Sequence, residues 1–122
     1  MEPITIPDAE LRLMEWIWHQ PGLRAVDLCR LGREAYGWSR NTTYTLLSRL
    51  IEKGVLERVE PGYGCRPLVT REEVSRSQTH ALIDRLYHGS RKLFLSSFLQ
   101  QERLSEEELS ALQQLIDHAK EE

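Results

Sequence analysis

The sequence predicts a mainly α-helical fold with one small β-hairpin. Three helical patterns come first, a hairpin pattern follows them, and the remainder predicts further helices with strongly apolar faces. Three helices followed by a two-stranded hairpin are the arrangement of a winged helix-turn-helix. We therefore expect a winged-helix head in residues 1–70 and a helical dimerisation tail in residues 71–122.

The composition is that of a globular protein and excludes several other classes. Of the 122 residues, 40 % are apolar and 29 % are charged, and the formal net charge is −3. Cys29 and Cys65 are too few for a disulfide scaffold, which favours a reducing, cytoplasmic setting. Residues 1–6 lack the basic and apolar parts of a signal peptide. The longest apolar-rich run, 93–99, is far shorter than the ~20 residues that span a bilayer, so we expect no membrane insertion.

The first two helices are predicted from the spacing of their apolar residues. In the helix over 8–18, the residues that recur at helical spacing are Glu10, Leu11, Met14, Ile17 and Trp18. Pro21-Gly22 then breaks the chain. A second helix over 24–35 ends at Gly37, and its predicted apolar side consists of Leu28, Leu31 and Ala35.

The third helix has the clearest limits. Ser39 is a favoured N-cap residue, and Gly54 is a favoured residue just past a helix end. The apolar stripe between them has a period of 3.6 and consists of Thr43, Leu46, Leu47, Leu50 and Ile51. Lys53 lies in the last turn, where the helix dipole favours a cation.

The rest of the chain predicts a hairpin and three more helices. Strands over 55–59 and 65–69 flank a turn that is marked by proline and glycine. Capping boxes open a helix over 71–88 at Thr70 and a last helix at Ser105. An apolar helix over 90–101 lies between them.

The outward side of the third helix is chemically suited to reading DNA. In a winged helix this element lies in the major groove, so its side chains must donate to and accept from base edges. Between Ser39 and Arg49 the chain has two arginines and no acid, although the protein as a whole is acidic. The polar residues on this side are Arg40, Asn41, Thr42, Tyr44, Thr45 and Ser48. Arg49 is expected to contact phosphate, and the hairpin supplies Tyr63 and Arg66, with Arg58 at its base. The alternative is a solvated face on a helix that only packs.

The tail is too apolar to fold back entirely on a head of 70 residues. The run over 93–99 in particular is expected to pack against a second copy of the chain. A two-fold dimer would present two reading helices about one DNA turn apart, which suits a palindromic operator. The alternative is a tail that caps the head of its own chain.

Two other sets of residues have the chemistry of a possible site. His80, Asp84 and His88 have i, i+4, i+8 spacing and could together hold a divalent ion, although solvated side chains are the favoured interpretation. Cys65 is predicted to lie on the hairpin, where an exposed thiol near Arg66 could act as a redox trigger, although an inert strand residue is favoured. Motifs for catalysis are absent from the sequence, so we expect neither an enzyme nor a bound cofactor.

Several segments resemble the penicillinase-repressor family (BlaI, MecI and CopY). The first helix, from Ile6-Pro-Asp-Ala-Glu-Leu11 to Met14-Glu-Trp-Ile-Trp18, resembles that of the family. Residues 38–54 resemble its recognition helix, and Pro67-Leu-Val-Thr-Arg-Glu-Glu73 is similar to the junction that follows the hairpin. Leu86-Tyr-His-Gly-Ser90 and the leucine-rich segments after it resemble its dimerisation helices. The similarity covers nearly the whole chain in order.

This resemblance implies a homodimeric transcriptional repressor whose partner is a double-stranded DNA operator. Base readout would fall to Asn41, Thr42 and Tyr44, with Ser39, Arg40, Thr45 and Arg49 in support. Tyr44 stands where relatives often carry a longer polar or basic side chain. The hairpin turn over 60–65 is shorter and less basic than is usual in the family. The implied dimerisation residues are Leu82, Leu86, Leu93, Leu95, Phe98, Leu99, Leu109, Leu112 and Ile116.

Relatives that control β-lactam resistance are released by proteolysis in a dimerisation helix, through a membrane sensor protease. Ser97-Phe98 occupies the corresponding place here, although a dimer-core role for Phe98 is the favoured interpretation. The paired cysteines of the copper-responsive branch are missing from the last residues of the sequence. Two alternatives to a repressor of this kind stay open: a redox- or metal-responsive repressor, and a winged-helix interaction module that does not bind DNA.

Overall fold

The computed structural model describes residues 3–122. The expectation that residues 1–6 are not a signal peptide therefore falls partly outside the described residues. The described residues form six helices and two strands in the predicted order. The helices are α1 (Asp8–His19), α2 (Ala25–Tyr36), α3 (Arg40–Glu52), α4 (Arg71–Leu86), α5 (Arg91–Gln101) and α6 (Glu106–Lys120), and the strands are β1 (Leu56–Val59) and β2 (Gly64–Pro67). The predicted fold class is therefore confirmed.

The chain forms two compact units. The first ends at Thr79, and the second consists of His80–Glu122. Helix α4 begins in the first unit and ends in the second. The division into a DNA-binding domain and a dimerisation domain, at 1–70 and 71–122, stays a prediction about function.

The core of the first unit lies between α1, α2, α3 and the hairpin. As predicted, α3 buries Thr43, Leu46, Leu47 and Leu50 along one side. Helix α2 buries Ala25, Leu28 and Gly32, whereas Ala35 is exposed in its last turn. The expectation that Ala35 belongs to the apolar side was wrong, because that last turn is exposed from Arg33 onward.

Glu10 lies in this core although it is a carboxylate. It is buried on the inner side of α1, and the ammonium of Lys53 at the end of α3 donates a hydrogen bond to it. A buried charge is tolerated only when it is paired and hydrogen-bonded. This ion pair therefore joins the inner face of α1 to the end of α3.

The hairpin is held beside the start of α2. Strands β1 and β2 are antiparallel, with Glu57 opposite Arg66 and Arg58 opposite Cys65. The backbone N–H of Cys65 donates to the carbonyl of Leu23, and that of Ala25 donates to the carbonyl of Tyr63, each at 2.9 Å. These two bonds attach the hairpin to the start of α2 and to the segment before it.

Burial overturns the hypothesis of a redox trigger at Cys65. The side chain is 2 % exposed within the core cluster. Burial also raises the pKa of its thiol to about 11. The thiolate is the reactive form of cysteine. A buried thiol that keeps its proton at neutral pH is a core residue and not a sensor.

The second unit begins inside α4 and has a sharp break after it. Helix α4 ends at Leu86, two residues before the predicted end, because His88 and Gly89 both take left-handed backbone angles. The N–H of Gly89 bonds to the carbonyl of Ile83, which satisfies a free carbonyl of the last turn. Beyond the break, Ser90 caps α5, which begins one residue later than the predicted helix start, and the predicted capping box at Ser105 opens α6.

This break separates the three residues of the candidate metal site. His80 and Asp84 lie on α4, whereas His88 lies beyond its end. The i, i+4, i+8 alignment that the sequence suggested therefore does not form, because it required a helix through residue 88. In the described part of the chain, no group of three metal-ligating side chains is close enough to hold an ion.

The second unit exposes most of its apolar side chains in the single chain. Every residue of α6 is exposed, whereas Ile83, which the sequence did not single out, is buried. All nine predicted dimerisation residues are exposed: Leu82, Leu86, Leu93, Leu95, Phe98, Leu99, Leu109, Leu112 and Ile116. Along residues 3–122, no helix combines the length and apolarity that crossing a membrane requires.

Candidate nucleic-acid interface

The first turn of α3 is fixed by its own side chains. The hydroxyl oxygen of Ser39 accepts a hydrogen bond from the backbone N–H of Thr42 at 3.1 Å. The hydroxyls of Ser39 and Thr42 are also 3.0 Å apart and share a hydrogen bond. Because Ser39 is engaged as the N-cap, it sets where the helix begins.

The outward side of α3 brings together the side chains that the sequence predicted to read DNA. Asn41, Thr42, Thr45, Ser48 and Arg49 are all exposed, and the buried stripe lies on the other side. Hydroxyl and amide groups can donate to and accept from base edges, and a guanidinium can bind phosphate. The described side is therefore suited chemically to a DNA groove.

Tyr44 is placed differently from its neighbours on this side. Its ring is half-buried and meets the ring of Tyr63 edge to face, with ring centroids 5.6 Å apart. The guanidinium of Arg40 lies 5.4 Å from the centre of the Tyr44 ring, and that of Arg58 lies 3.9 Å from the centre of the Tyr63 ring. We call this series Arg40, Tyr44, Tyr63 and Arg58 the tyrosine bridge. It connects the recognition helix to the hairpin.

Tyr63 is fixed within this bridge. It lies in the hairpin turn with a left-handed backbone angle, and its carbonyl accepts the N–H of Ala25. Burial raises the pKa of its phenol. The ring therefore packs within the hairpin and against α3, whereas the sequence suggested a free side chain at the tip that contacts DNA.

The charges of the hairpin are largely neutralised by one another. The guanidinium of Arg66 bonds to the carboxylate of Glu57 directly across the strands. Arg58 bonds to Glu60, and this hydrogen bond holds the pKa of Glu60 below its usual value. Both arginines are thus paired with acids two or nine residues away. The predicted hairpin places these arginines and glutamates near one another, but the sequence does not show that they form ion pairs.

The loop between α2 and α3 packs on a glycine. Trp38 is half-buried, and its ring lies so close to Gly32 that a Cβ at that position would be 2.7 Å from a ring carbon. Trp38 also contacts Trp16 and Tyr36, with ring centroids 6.3 Å and 5.0 Å away. The glycine that interrupts the helical pattern of α2 is therefore required by this packing.

A small cavity beside this loop was not predicted. It lies between α2 and the start of α3 and has a volume of about 180 Å³. The residues that line it are Val26, Cys29, Arg30, Arg33, Trp38 and Arg40. The only signal in the sequence is that three of these residues are arginines, and their convergence depends on how the two helices pack.

The family comparison agrees with this geometry. A family model described as penicillinase repressor matches residues 6–118. The chain belongs to the penicillinase repressor family. Its members are repressors, so the prediction that the protein is not an enzyme is confirmed by the family.

Members of the penicillinase repressor family match this chain over nearly its whole length. The chain is 29 % identical to the penicillinase repressor of Bacillus licheniformis over 117 residues, which are 94 % of this chain and 91 % of that protein. It is 25 % identical to the methicillin resistance regulatory protein MecI of Staphylococcus aureus strain N315 over 114 residues, which are 92 % of this chain and 93 % of that protein.

Two solved structures within the penicillinase repressor family match the winged-helix part. One is the DNA-binding domain of the repressor BlaI, with 30 % identity and a TM-score of 0.53. The other is the monomeric form of Bacillus licheniformis BlaI in complex with the blaP half-operator, with 29 % identity and a TM-score of 0.51. Each match covers 60 % of this chain and 93 % of the other. The predicted winged helix is thereby confirmed.

Proposed function

We propose that this repressor acts as a homodimer that binds a palindromic DNA operator through α3 and so blocks transcription. The observation that carries the proposal is the outward side of α3 from Arg40 to Arg49, which holds amide, hydroxyl and guanidinium groups and no acid. An exposed acid, Glu52, follows only in the last turn. The BlaI structure bound to a half-operator supports DNA as the partner, since that domain is similar in fold and sequence.

Within this proposal, Asn41, Thr42 and Thr45 read base edges and Arg49 contacts phosphate. All four are exposed on one side of the helix. Ser39 and Arg40 support them from the first turn, since Ser39 caps the helix and Arg40 lies against Tyr44. Tyr44 and Tyr63 belong to the tyrosine bridge, and Arg66 reaches the DNA only at the expense of its bond to Glu57.

The dimer part of the proposal rests on the apolar surface of the second unit. Its ten large exposed apolar side chains include four on α5 whose exposed fractions are 44 % to 55 %, namely Leu93, Leu95, Phe98 and Leu99. Exposed apolar patches of this extent are typical of protein interfaces. A second copy of the chain would bury them and place two α3 helices on one operator.

We further propose that the repressor is cytoplasmic and that a signal releases it from the operator. Cleavage by a membrane sensor protease between Ser97 and Phe98 is one form of such a signal. The bond lies in the middle of α5, and Ser97 is half-buried. A protease needs an extended segment, so cleavage there would require α5 to open first.

The central test is the substitution Asn41→Ala. We expect specific operator affinity to fall by ~1–3 kcal/mol, because a side-chain amide that reads a base edge is lost. Affinity for unrelated DNA should stay the same. Fluorescence anisotropy with a library of double-stranded DNA, at two salt concentrations, identifies the operator and then measures both affinities.

Gln20→Ala is the matched control for this test. Gln20 is another exposed side-chain amide of the first unit, and it lies at the end of α1. Its removal should change neither affinity. If Asn41→Ala binds the operator as tightly as the Gln20 variant does, Asn41 does not read a base. If the wild-type protein binds all sequences weakly and equally, the interaction-module alternative is favoured.

A further inference from the structure

The cavity between α2 and α3 gathers positive charge on one small surface. Arg30 and Arg33 reach it from α2, and Arg40 reaches it from the first turn of α3. Trp38 and Val26 supply its apolar wall. At about 180 Å³ it is smaller than the ~300–1,000 Å³ pockets that hold drug-sized ligands, so it fits one small group.

Two of these arginines have no carboxylate partner among residues 3–122. Arg33 and Arg40 make no ion pair there, whereas the guanidinium of Arg30 lies 4.0 Å from the carboxylate of Asp27, which also pairs with Arg24. The hairpin arginines Arg58 and Arg66 are both paired. The cavity, and not the hairpin, is therefore where guanidinium charge is free to bind an anion.

The pKa of the Cys29 thiol is affected by two of the arginines that line the cavity. Burial raises its pKa, while the charges of Arg40 and Arg33 act in the opposite direction. Both guanidinium groups are therefore close enough to the thiol to favour a negative charge there. An anion in the cavity would lie beside the thiol, near the same two guanidinium groups.

We propose that this cavity binds a phosphate group, and that in the operator complex the group is a phosphodiester of the DNA backbone. Planar guanidinium groups bind phosphate oxygens in pairs, and two free ones face the cavity from different helices. Arg40 belongs both to the cavity and to the DNA-facing start of α3, so a phosphate bound here would lie at the edge of the groove that α3 enters. This inference rests on the proposed function, since it names the backbone contact of the same interface.

The contact would set the register of the recognition helix. Phosphate contacts position a protein on the duplex and carry no sequence information themselves. A phosphate held between α2 and α3 would fix where the first turn of α3 enters the groove. Asn41, the next residue after Arg40, would then meet a defined base pair.

The first experiment uses Cys29 as a footprint. Full-length protein is treated with iodoacetamide at pH 8.5, alone, with operator DNA, with a scrambled duplex or with inorganic phosphate, and the modification of each cysteine is followed by mass spectrometry. Cys65 is an internal reference, since it is buried and its pKa is about 11. We expect both duplexes to slow the modification of Cys29 at least fivefold, because the backbone is common to them.

The arms of the footprint distinguish the two sources of phosphate. Protection by DNA at micromolar concentration, with weak protection by millimolar inorganic phosphate, supports a backbone phosphodiester. Protection by inorganic phosphate but not by bound DNA would mean that the cavity takes a free phosphorylated molecule, and the DNA assignment would be overturned. Equal modification rates in all arms would overturn the phosphate site altogether.

The second experiment measures the salt dependence of DNA binding for Arg33→Gln. Removing one phosphate contact should lower the slope of log affinity against log salt by about one, and it should weaken operator and scrambled DNA equally. Arg76→Gln is the matched control, because Arg76 is an exposed arginine of α4 in the same unit.

We expect the slope of the Arg76→Gln control to equal that of the wild type. A slope for Arg33→Gln equal to that of Arg76→Gln would overturn the proposal. Sequence-selective binding by the wild type together with that result leaves the proposed function intact. If the wild type selects no sequence, the proposed function fails independently of what the variants show.

Discussion

At the scale of single residues, Tyr44 shows the limit of assigning roles from a helical face. Its position in the sequence places it among the base-reading side chains of α3. The structure places its ring against Tyr63, with an arginine on each ring. Sequence spacing identifies the side of the helix on which a residue lies, but it does not show that a ring from the hairpin already covers part of it.

This placement predicts different outcomes for two substitutions of Tyr44. Tyr44→Phe keeps the ring pair and should keep both stability and operator affinity. Tyr44→Ala removes a contact of about 0.5–1.5 kcal/mol beyond its buried area, so the free energy of unfolding should fall and the hairpin should loosen. Thermal unfolding and anisotropy titration measure the two effects. An equal loss of affinity in both variants would show instead that the phenol hydroxyl reads a base.

Cys65 predicts how stability depends on alkaline pH. Its pKa is about 11 in the folded protein against an ordinary value of 9.0, because burial disfavours the thiolate. Above pH 9 the unfolded chain releases this proton and the folded chain retains it, so stability falls as pH rises from 9 to 11. The loss is about 2–3 kcal/mol at most.

Denaturant titrations between pH 8 and pH 11 test this expectation. Cys65→Ala should be less stable at pH 8, because it leaves a cavity, yet its stability should fall less steeply above pH 9. Cys29→Ala is the control and should retain most of the wild-type fall. Parallel curves for wild type and Cys65→Ala would contradict a buried, protonated thiol.

At the scale of secondary-structure elements, the sequence predicted all six helices of residues 3–122, because the signals that start and end a helix are local. Ser39, Ser90 and Ser105 each accept the backbone hydrogen bond that an N-cap should accept, within three residues of themselves. The end of α4 was misplaced by two residues, because it depends on left-handed angles at His88 and Gly89. Histidine gives little warning of such an angle, which is uncommon for residues other than glycine.

Gly32 within α2 carries the next prediction. On an exposed helix, replacing glycine by alanine stabilises the helix by up to ~1 kcal/mol. Here the added Cβ would lie 2.7 Å from the Trp38 ring, so Gly32→Ala should destabilise the protein by about 1–3 kcal/mol. It should also change tryptophan fluorescence, because the ring must move. Unfolding by urea with fluorescence detection measures both.

Gly37→Ala separates this clash from a general effect of glycine. Gly37 has a left-handed angle at the end of α2 but open space where a Cβ would lie. Its replacement should cost stability through backbone strain and leave Trp38 fluorescence unchanged. A Gly32→Ala variant more stable than the wild type would show that Trp38 gives way without cost.

At the scale of the whole molecule, long-range burial is what sequence patterns could not supply. The buried pair of Glu10 and Lys53 joins residues 43 positions apart, and Cys65 is buried in a cluster with side chains from α1, α2 and α3. Neither is visible in local spacing. The apolar residues that the sequence assigns to dimerisation are exposed in the single chain, and their role in a dimer stays a prediction.

The tail carries the prediction about assembly. Phe98 is 47 % exposed on α5, and in the proposed dimer it is buried. Phe98→Asp should therefore shift the protein towards monomer, because the charge would lose its water in the interface. Sedimentation velocity at several protein concentrations measures the shift.

Leu68→Asp is the matched control. Leu68 is 50 % exposed in the first unit, outside the proposed interface. It should leave the sedimentation coefficient unchanged. A Phe98→Asp protein that sediments as the wild type does would place the interface elsewhere.

In the proposed dimer, helix α6, whose residues are all exposed in the single chain, packs against the second copy, so the folding of the tail depends on protein concentration. A helix of 15 residues is marginal in water without a partner to pack against. By mass action, each dilution of the protein then increases the share of chains whose tail is unfolded. Such chains are open to general proteases, so a cell that stops synthesis of the repressor would lose the remainder faster than dilution by growth alone. The change from repression to expression would then be faster at a low number of repressor molecules per cell.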